Sequence, residues 1–449
     1  MKLHSETYDS YKNAEGEWSE AIPSEWQEKR VKDLFRLVTD AAPADNDYEL
    51  LSLYAGIGVK PRKDLEARGN KASSTDGYWI VRKNDIVVNK LLAWMGSVGL
   101  SEYEGVTSPA YDVLRQTQPE LDPRYFAYLF RTETAKKIFR KNSRGIMDMR
   151  LRLYFDKLGA ITVPYPSPTE QKNIADYIDN KVTLIDKKIN ALSKKVILYK
   201  KLRATTIDEI ALSGMGKDTP LKYSYDDAIG EIPSHWEVLR LKEVANIQNS
   251  NVDKKSHDHE KTVKLCNYVD VYKNDFINSS LEFMQATAND SEIAKFQIFK
   301  GDVFITKDSE TCEDIAVPAL ATETLEGVLC GYHLAQIRCN QKIILGEYLF
   351  RLFQCQRFGK RFTVFAKGIT RVGLGQSAIA DALTPIPPLE EQLEIVNKIR
   401  CSTEVTDKAI GNLSRQIEKL KELRIAVVND VITGQIRLKN TIKKGLQYE

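Results

Sequence analysis

A proline-rich hinge that leads into a long helical segment occurs twice in this chain of 449 residues. The first hinge runs from Pro164 to Gln171 (P-Y-P-S-P-T-E-Q), and the second runs from Pro385 to Gln392 (P-I-P-P-L-E-E-Q). Glu170 and Glu391, the glutamates that precede the final glutamines, lie 221 residues apart. A hinge and a helix that recur together indicate that the chain is built from two related halves.

Behind each hinge, apolar residues recur at alternating spacings of three and four, which is typical of a coiled-coil seam. From Glu170 to Leu212 such a helix would be about 65 Å long at 1.5 Å per residue. Two helices with matching seams bury them most simply against each other, so we expect the two helices to pair. The predicted pairing residues are Val182, Ile185, Ile189, Leu192, Val196, Tyr199, Ile410, Leu413, Ile417 and Leu420.

Each half also begins with the same opening, Ile22-Pro-Ser-Glu-Trp26 in the first and Ile232-Pro-Ser-His-Trp236 in the second. Between opening and hinge, strands are predicted at 77–81, 85–90 and 301–307, and a helical segment is predicted at 124–140 and again at 347–362. The fold class is therefore α+β, with two globular domains that alternate with two long helices. The predicted segments are a globular domain at 1–165, a long helix at 166–214, a linker at 215–231, a second globular domain at 232–386, a second long helix at 387–434 and a tail at 435–449.

Composition limits the kind of protein this is. The formal net charge is only +3, so any contact with nucleic acid must come from local basic patches. All six cysteines lie in the second half without a C-x-x-C pair, which is typical of a reducing compartment. The sequence contains neither a signal-peptide apolar region nor a run of 18 apolar residues, so we expect a soluble cytoplasmic protein.

One stretch resembles an enzyme motif. Residues 51–59 form an apolar strand that ends in A-G-I-G, similar to the S-adenosylmethionine loop of DNA methyltransferases. The chain lacks a Pro-Cys dipeptide and an Asn/Asp-Pro-Pro-aromatic tetrapeptide, and the aligned residues 263–271 contain no glycine. We therefore favour a structural turn at this position.

Residues 257–260 (H-D-H-E) lack further ligands at a metal-site spacing, so a surface loop is the better interpretation. We predict no catalytic residue, metal site or cofactor in this chain.

The loops just before the two hinges are the best candidates for contact with DNA. Residues 144–152 and 367–376, here called the first and second pre-hinge loops, combine cations, glycine and polar side chains. Arginine can bind guanine bidentately, aspartate can accept from cytosine, and glutamine can pair with adenine. An ordinary charged loop is the alternative, but the same position in both halves favours base recognition. The predicted DNA-binding residues are Lys90, Arg144, Gly145, Asp148, Arg150, Arg152, Lys307, Lys367, Gly368, Thr370, Arg371 and Gln376.

The first long helix carries a basic side, for which two interpretations stay open. One is an ordinary solvated helix face, and the other is contact with DNA or with an acidic partner. The lysines concerned are Lys181, Lys187, Lys188, Lys194, Lys195, Lys200 and Lys201.

Taken together, the repeated I-P-S-x-W opening, the P-x-P…E-Q hinge and the duplicated helices resemble the specificity subunit of a type I restriction-modification system, a phage-defence system. The first hinge departs from the family pattern, because Ser167-Pro168-Thr169 stands where the second has Pro388-Leu389-Glu390. The resemblance implies two target-recognition domains, each recognising one half of a bipartite DNA sequence. It also implies that the helices pack antiparallel as a spacer between the half-sites. Because the two pre-hinge loops differ, an asymmetric target is expected.

The resemblance further implies a division of labour between subunits. Two copies of the adenine methyltransferase subunit and the translocating restriction subunits would assemble with this chain on double-stranded DNA. S-adenosylmethionine, ATP and Mg would be bound by those partners. Two alternatives remain, namely a self-contained methyltransferase that uses Ala55–Gly58, and a coiled-coil scaffold with no role on DNA. Binding of S-adenosylmethionine by the chain alone would indicate the former. Sequence-specific DNA binding that is unchanged after the loop cations are replaced by alanine would indicate the coiled-coil scaffold.

Overall fold

The computed structural model describes residues 5–54, 58–64, 74–146, 150–214, 219–368 and 370–438. The chain divides into two compact units, of which the first comprises residues 1–191 and 416–449 and the second comprises residues 192–415. Each unit therefore contains one globular part, the beginning of one long helix and the end of the other. The units are described separately below.

The two long helices are Pro168–Ala211 and Leu389–Ile432, each of 44 residues. Pro168 takes a first helical position, where its fixed φ suits the helix and its missing N–H is not needed. In the first unit, Ile178 near the start of one helix shares a core with Val431 at the end of the other. In the second unit, Ile207 near one end likewise shares a core with Ile399 near the other start. The helices thus pair antiparallel, as expected.

The first unit is built on a four-stranded antiparallel sheet, which two-stranded ribbons and short helices accompany. The sheet has the order Val98–Leu100, Ile86–Asn89, Tyr111–Gln116, Phe35–Leu37. Two-stranded ribbons pair Ser5–Glu6 with Arg437–Leu438, Tyr11–Asn13 with Ala21–Pro23, Gln27–Arg30 with Thr162–Tyr165, Leu51–Tyr54 with Gly58–Pro61, and Trp79–Val81 with Gly105–Thr107. The short helices are Val31–Leu34, Arg62–Asp64, Ala93–Met95, Pro123–Leu129, Glu133–Asn142 and Phe155–Leu158.

The second unit has two larger sheets. One has the order Ala245–Asn249, Leu334–Cys339, Val303–Thr306, Pro318–Ala321, Phe276–Ile277, and the other has the order Met284–Ala288, Lys261–Cys266, Leu325–Cys330, Gln297–Ile298. Ribbons pair Leu221–Tyr223 with Glu231–Pro233, Glu237–Arg240 with Leu383–Ile386, and Asp308–Ser309 with Val372–Gly373. The short helices are Leu241–Val244, Tyr268–Lys273, Asp290–Phe296, Cys312–Asp314, Gly346–Gln354, Gln356–Gly359, Arg361–Phe365 and Gln376–Ala380.

The repeated opening packs against the turn that ends a long helix. Trp26 and Trp236 are completely buried. In the first unit, a Cβ added to Gly434 would lie 2.6 Å from the Cδ atom of Pro23, and in the second a Cβ added to Gly214 would lie 2.9 Å from the Cγ atom of Pro233. Both glycines have positive φ, as expected at a helix C-terminus. Each opening therefore contacts the helix that began in the other repeat.

The glutamine of each hinge is buried and bonded to backbone groups. Gln392 donates to the carbonyl oxygens of Pro387 (2.9 Å) and Ile343 (2.8 Å) and accepts from the N–H of Leu345 (2.8 Å). Gln171 donates to Pro166 O at 2.9 Å and accepts from the N–H of Asp122 at 3.1 Å. The hinge motif is thus a structural joint between each globular part and its helix.

Two predicted elements differ from the structure. The helical segment predicted at 124–140 is two helices, because Thr132 is extended and its hydroxyl accepts from the N–H of Ala135 at 3.1 Å, which starts a new helix. The segment predicted at 347–362 is three helices, since extended backbone at Cys355 interrupts the first of them. The predicted strands are present in shortened form.

The stretch that resembles a cofactor loop is flanked by two paired strands. Leu51–Tyr54 and Gly58–Pro61 run antiparallel with Tyr54 opposite Gly58, and residues 55–57 lie outside the described residues. A methyltransferase loop would lead from a strand into a helix, whereas the described residues on either side of this stretch are two strands that pair with each other. No helix in the described part of the chain is both long and apolar enough to span a membrane.

Candidate nucleic-acid interface

Both pre-hinge loops are closed in the same way by a pair of backbone hydrogen bonds. Arg144 and Arg152 exchange N–H···O bonds of 2.9 Å, and Lys367 and Gly373 exchange bonds of 3.0 and 2.9 Å. The residue after the first partner is a glycine in each loop, Gly145 with φ of 152° and Gly368 with φ of 145°. A Cβ at either glycine would collide with a carbonyl oxygen across the loop. Glycine is therefore required by the backbone at both positions.

A lysine at the end of a buried strand holds each loop in place. The carbonyl of Lys90 accepts from the N–H of Leu153 at 2.9 Å, and that of Lys307 accepts from the N–H of Leu374 at 2.7 Å. The backbone N–H group of each of these lysines donates a hydrogen bond to a neighbouring turn. These turns, residues 108–110 and 331–333, are here called the first and second flanking turns; the acceptors are Ala110 O at 3.4 Å and His333 O at 3.1 Å.

The ammonium groups of these lysines have internal partners. Lys90 Nζ donates to Pro109 O at 2.6 Å and lies 3.4 Å from a carboxylate oxygen of Asp112. Burial raises the pKa of that carboxyl, and the charge of Lys90 partly offsets the rise. Lys307 Nζ lies 2.6 Å from Asp308 Oδ2. The backbone of both lysines thus positions the loops while their side chains have internal partners, and contact of these side chains with DNA stays a prediction.

The remaining predicted residues differ in how available they are to a ligand. Arg144 pairs with Asp156 at 2.8 Å, although both side chains are exposed. Gln376 is exposed, but its Nε2 donates to Ile247 O at 2.8 Å. Asp148 lies outside the described residues.

Three exposed cations at the loops have no ion-pair partner among the residues that the structure describes. Arg150, Lys367 and Arg371 form no ion pair with another described residue, and Thr370 beside them is also exposed. Arg152 is exposed as well, and its Nη1 donates to the carbonyl of Arg150 at 3.3 Å. Within the described ranges, each loop therefore presents at least one exposed cation that no carboxylate neutralises. Such groups can bind phosphate oxygens or the edge of guanine.

Two exposed side chains beside the loops were not predicted. Ile146, in the first pre-hinge loop, is 99% exposed, and Tyr332, in the second flanking turn, is 47% exposed. The Gly-Ile dipeptide common to both loops was the available sequence signal for Ile146. Tyr332 had none, because the aligned residue of the first half is Pro109.

The predicted helix-pairing residues lie on the less exposed stripe of each long helix. Ion pairs flank that stripe, with Arg424 and Asp186 3.1 Å apart in the first unit and Arg203 and Asp407 2.7 Å apart in the second. Tyr199 is 36% exposed and is the least covered of the set. Val182, Ile185 and Leu192 are buried, and those partly buried are Ile189, Val196, Ile410, Leu413, Ile417 and Leu420.

Other apolar side chains of the long helices are exposed. They lie outside the seam and are at least 45% accessible; they are Leu184, Ile197, Leu198, Leu202, Leu393, Val405, Leu423 and Ile425.

Among the residues that the structure describes, no group of three or more His, Cys, Asp or Glu side chains could hold a metal ion.

Comparisons with known proteins agree on one family. The pattern described as type I restriction modification DNA specificity domain matches residues 23–194 and again residues 233–419. The type I restriction enzyme MjaVIII specificity subunit of Methanocaldococcus jannaschii is 22% identical over 423 residues, covering 93% of this chain and 95% of that protein. The EcoDI specificity subunit of Escherichia coli is 22% identical, covering 93% and 91%.

A solved structure shares the fold. It comes from work on complex assembly and conformational transition of the type I R-M system, and it superimposes with a TM-score of 0.59 at 13% identity. The similarity covers 92% of this chain and 99% of the other.

Proposed function

The chain belongs to the type I restriction-modification DNA specificity family, and from this we propose that it recognises a bipartite, asymmetric DNA target and directs adenine methylation and restriction by partner subunits. One observation carries the proposal. The two pre-hinge loops share a backbone design, including the closing hydrogen bonds and the glycine with positive φ, but differ in the side chains they expose. Two loops with the same backbone and different exposed side chains are suited to the recognition of two different half-sites.

The charges at the loops support contact with DNA. Arg150, Lys367 and Arg371 are exposed and form no ion pair among the described residues. Phosphate contacts from such cations would set affinity, and contacts to base edges in the major groove would set specificity. With a net charge of only +3, local groups of this kind have to supply the attraction.

The partners in this proposal are two methyltransferase subunits and the restriction subunits. Exposed apolar side chains on the long helices, such as Ile197, Val405 and Ile425, offer surfaces for docking. Leu184 and Val405 are exposed at equivalent positions of the two helices, as are Leu202 and Leu423, which would suit the docking of two copies of one subunit. Adenine flipping, methyl transfer and cleavage would then take place in the partners, which would bind S-adenosylmethionine, ATP and Mg.

Methylation mapping tests the proposal. The chain is co-expressed with its adenine methyltransferase subunit in a host that lacks both, and modified adenines are mapped across the genome. We expect one split motif with unlike halves that requires this chain. The control is the methyltransferase expressed alone. Methylation that is absent, or identical without the chain, contradicts the proposal.

A binding measurement addresses the alternative of a self-contained methyltransferase. The purified chain is titrated with S-adenosylmethionine in a calorimeter, with the assembled complex as the positive control. We expect heat of binding from the complex and none from the chain alone. Saturable binding to the chain, abolished by Gly56→Val, would favour the alternative.

A further inference from the structure

We infer that the second flanking turn is a second DNA-recognition element of the second unit, in which Tyr332 and His333 contact bases of the half-site recognised there. This inference rests on the proposed function and deepens it. It concerns residues that the sequence pattern did not indicate.

The turn and the second pre-hinge loop are joined through a single residue. Lys307 donates its N–H to His333 O at 3.1 Å and accepts at its carbonyl from the N–H of Leu374 at 2.7 Å. The neighbouring strand Asp308–Ser309 pairs with Val372–Gly373 of the loop. Backbone hydrogen bonds on both sides of Lys307 therefore make the turn and the loop one continuous surface.

The Asp308 carboxylate connects the same parts through side chains. Its Oδ2 lies 2.6 Å from Lys307 Nζ and 3.2 Å from His333 Nδ1. In neutral His333, a proton on Nδ1 is stabilised by this carboxylate, which leaves Nε2 as an acceptor. An acceptor in this position can bind the exocyclic amino group of adenine or cytosine in the major groove.

The Tyr332 ring is held in place while nearly half of it remains exposed. Its centroid lies 4.6 Å from that of the His333 ring at an interplanar angle of 72°, and Lys307 Nζ lies 4.9 Å from the Tyr332 centroid. Its exposed fraction is 47%. A tyrosine ordered in this way loses little conformational entropy on binding, and it presents both an apolar ring and a hydroxyl. These groups suit a thymine methyl and a base acceptor.

The first unit has the same connections without the same side chains. The backbone of Lys90 is hydrogen-bonded to Ala110 and Leu153. The backbone of Lys307 is hydrogen-bonded in the same way to His333 and Leu374. The turn there consists of Ser108-Pro109-Ala110, whose last two side chains have no hydrogen-bonding group. The two flanking turns thus share a position and differ in chemistry. This difference supports unequal half-sites, with additional base contacts in the second.

The test compares methylation motifs of variant complexes. Tyr332→Ala, Tyr332→Phe and His333→Ala are each assembled with the methyltransferase subunit, and discrimination is measured at every position of both half-sites. Tyr223→Ala is the matched control, because Tyr223 lies in the same unit and is 48% exposed. We expect Tyr332→Ala and His333→Ala each to lose roughly 5- to 150-fold of discrimination at positions of one half-site only.

The outcomes separate this inference from the proposed function. If the wild-type chain directs no split motif, the proposed function itself is wrong. If the wild type directs one but Tyr332→Ala and His333→Ala both keep it unchanged, or weaken both half-sites equally in complexes that assemble normally, the inference is overturned. The other half-site reports on folding, since a misfolded variant loses both. Tyr332→Phe keeps the ring and isolates the contribution of the hydroxyl.

Discussion

The guanidinium of Arg115 binds the buried carboxylate of Asp85 through two hydrogen bonds, Nε to Oδ1 at 2.9 Å and Nη2 to Oδ2 at 2.7 Å. The second unit repeats the pair as Arg338 and Asp302, at 2.9 and 2.8 Å. Each carboxylate precedes the strand that leads to Lys90 or Lys307. In each unit, the ion pair thus lies at the start of this strand, and the lysine that positions the pre-hinge loop follows the end of the same strand.

Removal of Arg115 should destabilise the first unit strongly. Arg115→Leu leaves Asp85, which is only 2% exposed, as an unpaired buried charge. Breaking a buried pair from one side costs about 3–5 kcal/mol of unfolding free energy. Arg338→Leu should cost less, because the Asp302 carboxylate keeps a second side-chain donor, Gln336 Nε2 at 2.7 Å. Urea unfolding followed by circular dichroism measures both.

The control for this comparison is Lys421→Leu. Lys421 pairs with Glu418 on an exposed helix face, where an ion pair contributes about 0–1 kcal/mol. If Arg115→Leu costs no more than this control, the buried pair does not stabilise the unit as described.

The loop arginines should affect one half-site each. Arg371→Ala is expected to reduce discrimination by about 1–3 kcal/mol in one half-site, and Arg150→Ala to do so in the other. Lys200→Ala on the first long helix should instead weaken binding equally across sequences, if that face contacts phosphates. Competition binding of the assembled complex to duplexes with single base changes distinguishes these results. A uniform effect of Arg371→Ala would indicate a phosphate contact in place of base recognition.

The hinge glutamine should be essential to the second unit's stability. Gln392→Leu leaves the N–H of Leu345 and the carbonyl of Ile343 without their partner at a buried site. Each buried group left unpaired costs about 1–3 kcal/mol. Gln376→Leu is the matched control, since Gln376 is exposed and donates one hydrogen bond. Chemical unfolding should show a clear loss for Gln392→Leu only, and equal losses would contradict this role.

Thiol reactivity should follow burial. Burial raises the pKa of Cys339 and of Cys355 to about 12, so neither forms much of the reactive thiolate near neutral pH. Cys401 is exposed on the second long helix. Ellman's reagent on the native protein should therefore modify Cys401 fastest, and Cys401→Ser should remove that phase. Rapid native modification of Cys339 or Cys355, located by mass spectrometry, would contradict the prediction.

The sequence by itself determined the repeat, the two long helices and the hinges, because these depend on local patterns. Heptad spacing specifies a helix and its apolar stripe within a few turns, and proline with the following Glu-Gln marks where each helix begins. The loop glycines were also identifiable, since a repeated glycine indicates a backbone constraint. Those signals lie within short stretches of chain, so no tertiary contact is needed to interpret them.

Only the tertiary structure decided which parts of the chain share a unit and which loop side chains are available. Each unit combines the start of one long helix with the end of the other, and this pairing joins residues hundreds of positions apart. Lys90 and Lys307 matched the pattern of DNA-binding lysines, yet their ammonium groups have internal partners. Tyr332 carried no signal, because its exposure beside the second pre-hinge loop arises from hydrogen bonds that Lys307 makes to two distant segments. Burial and pairing depend on contacts between residues far apart in sequence, which a local pattern cannot specify.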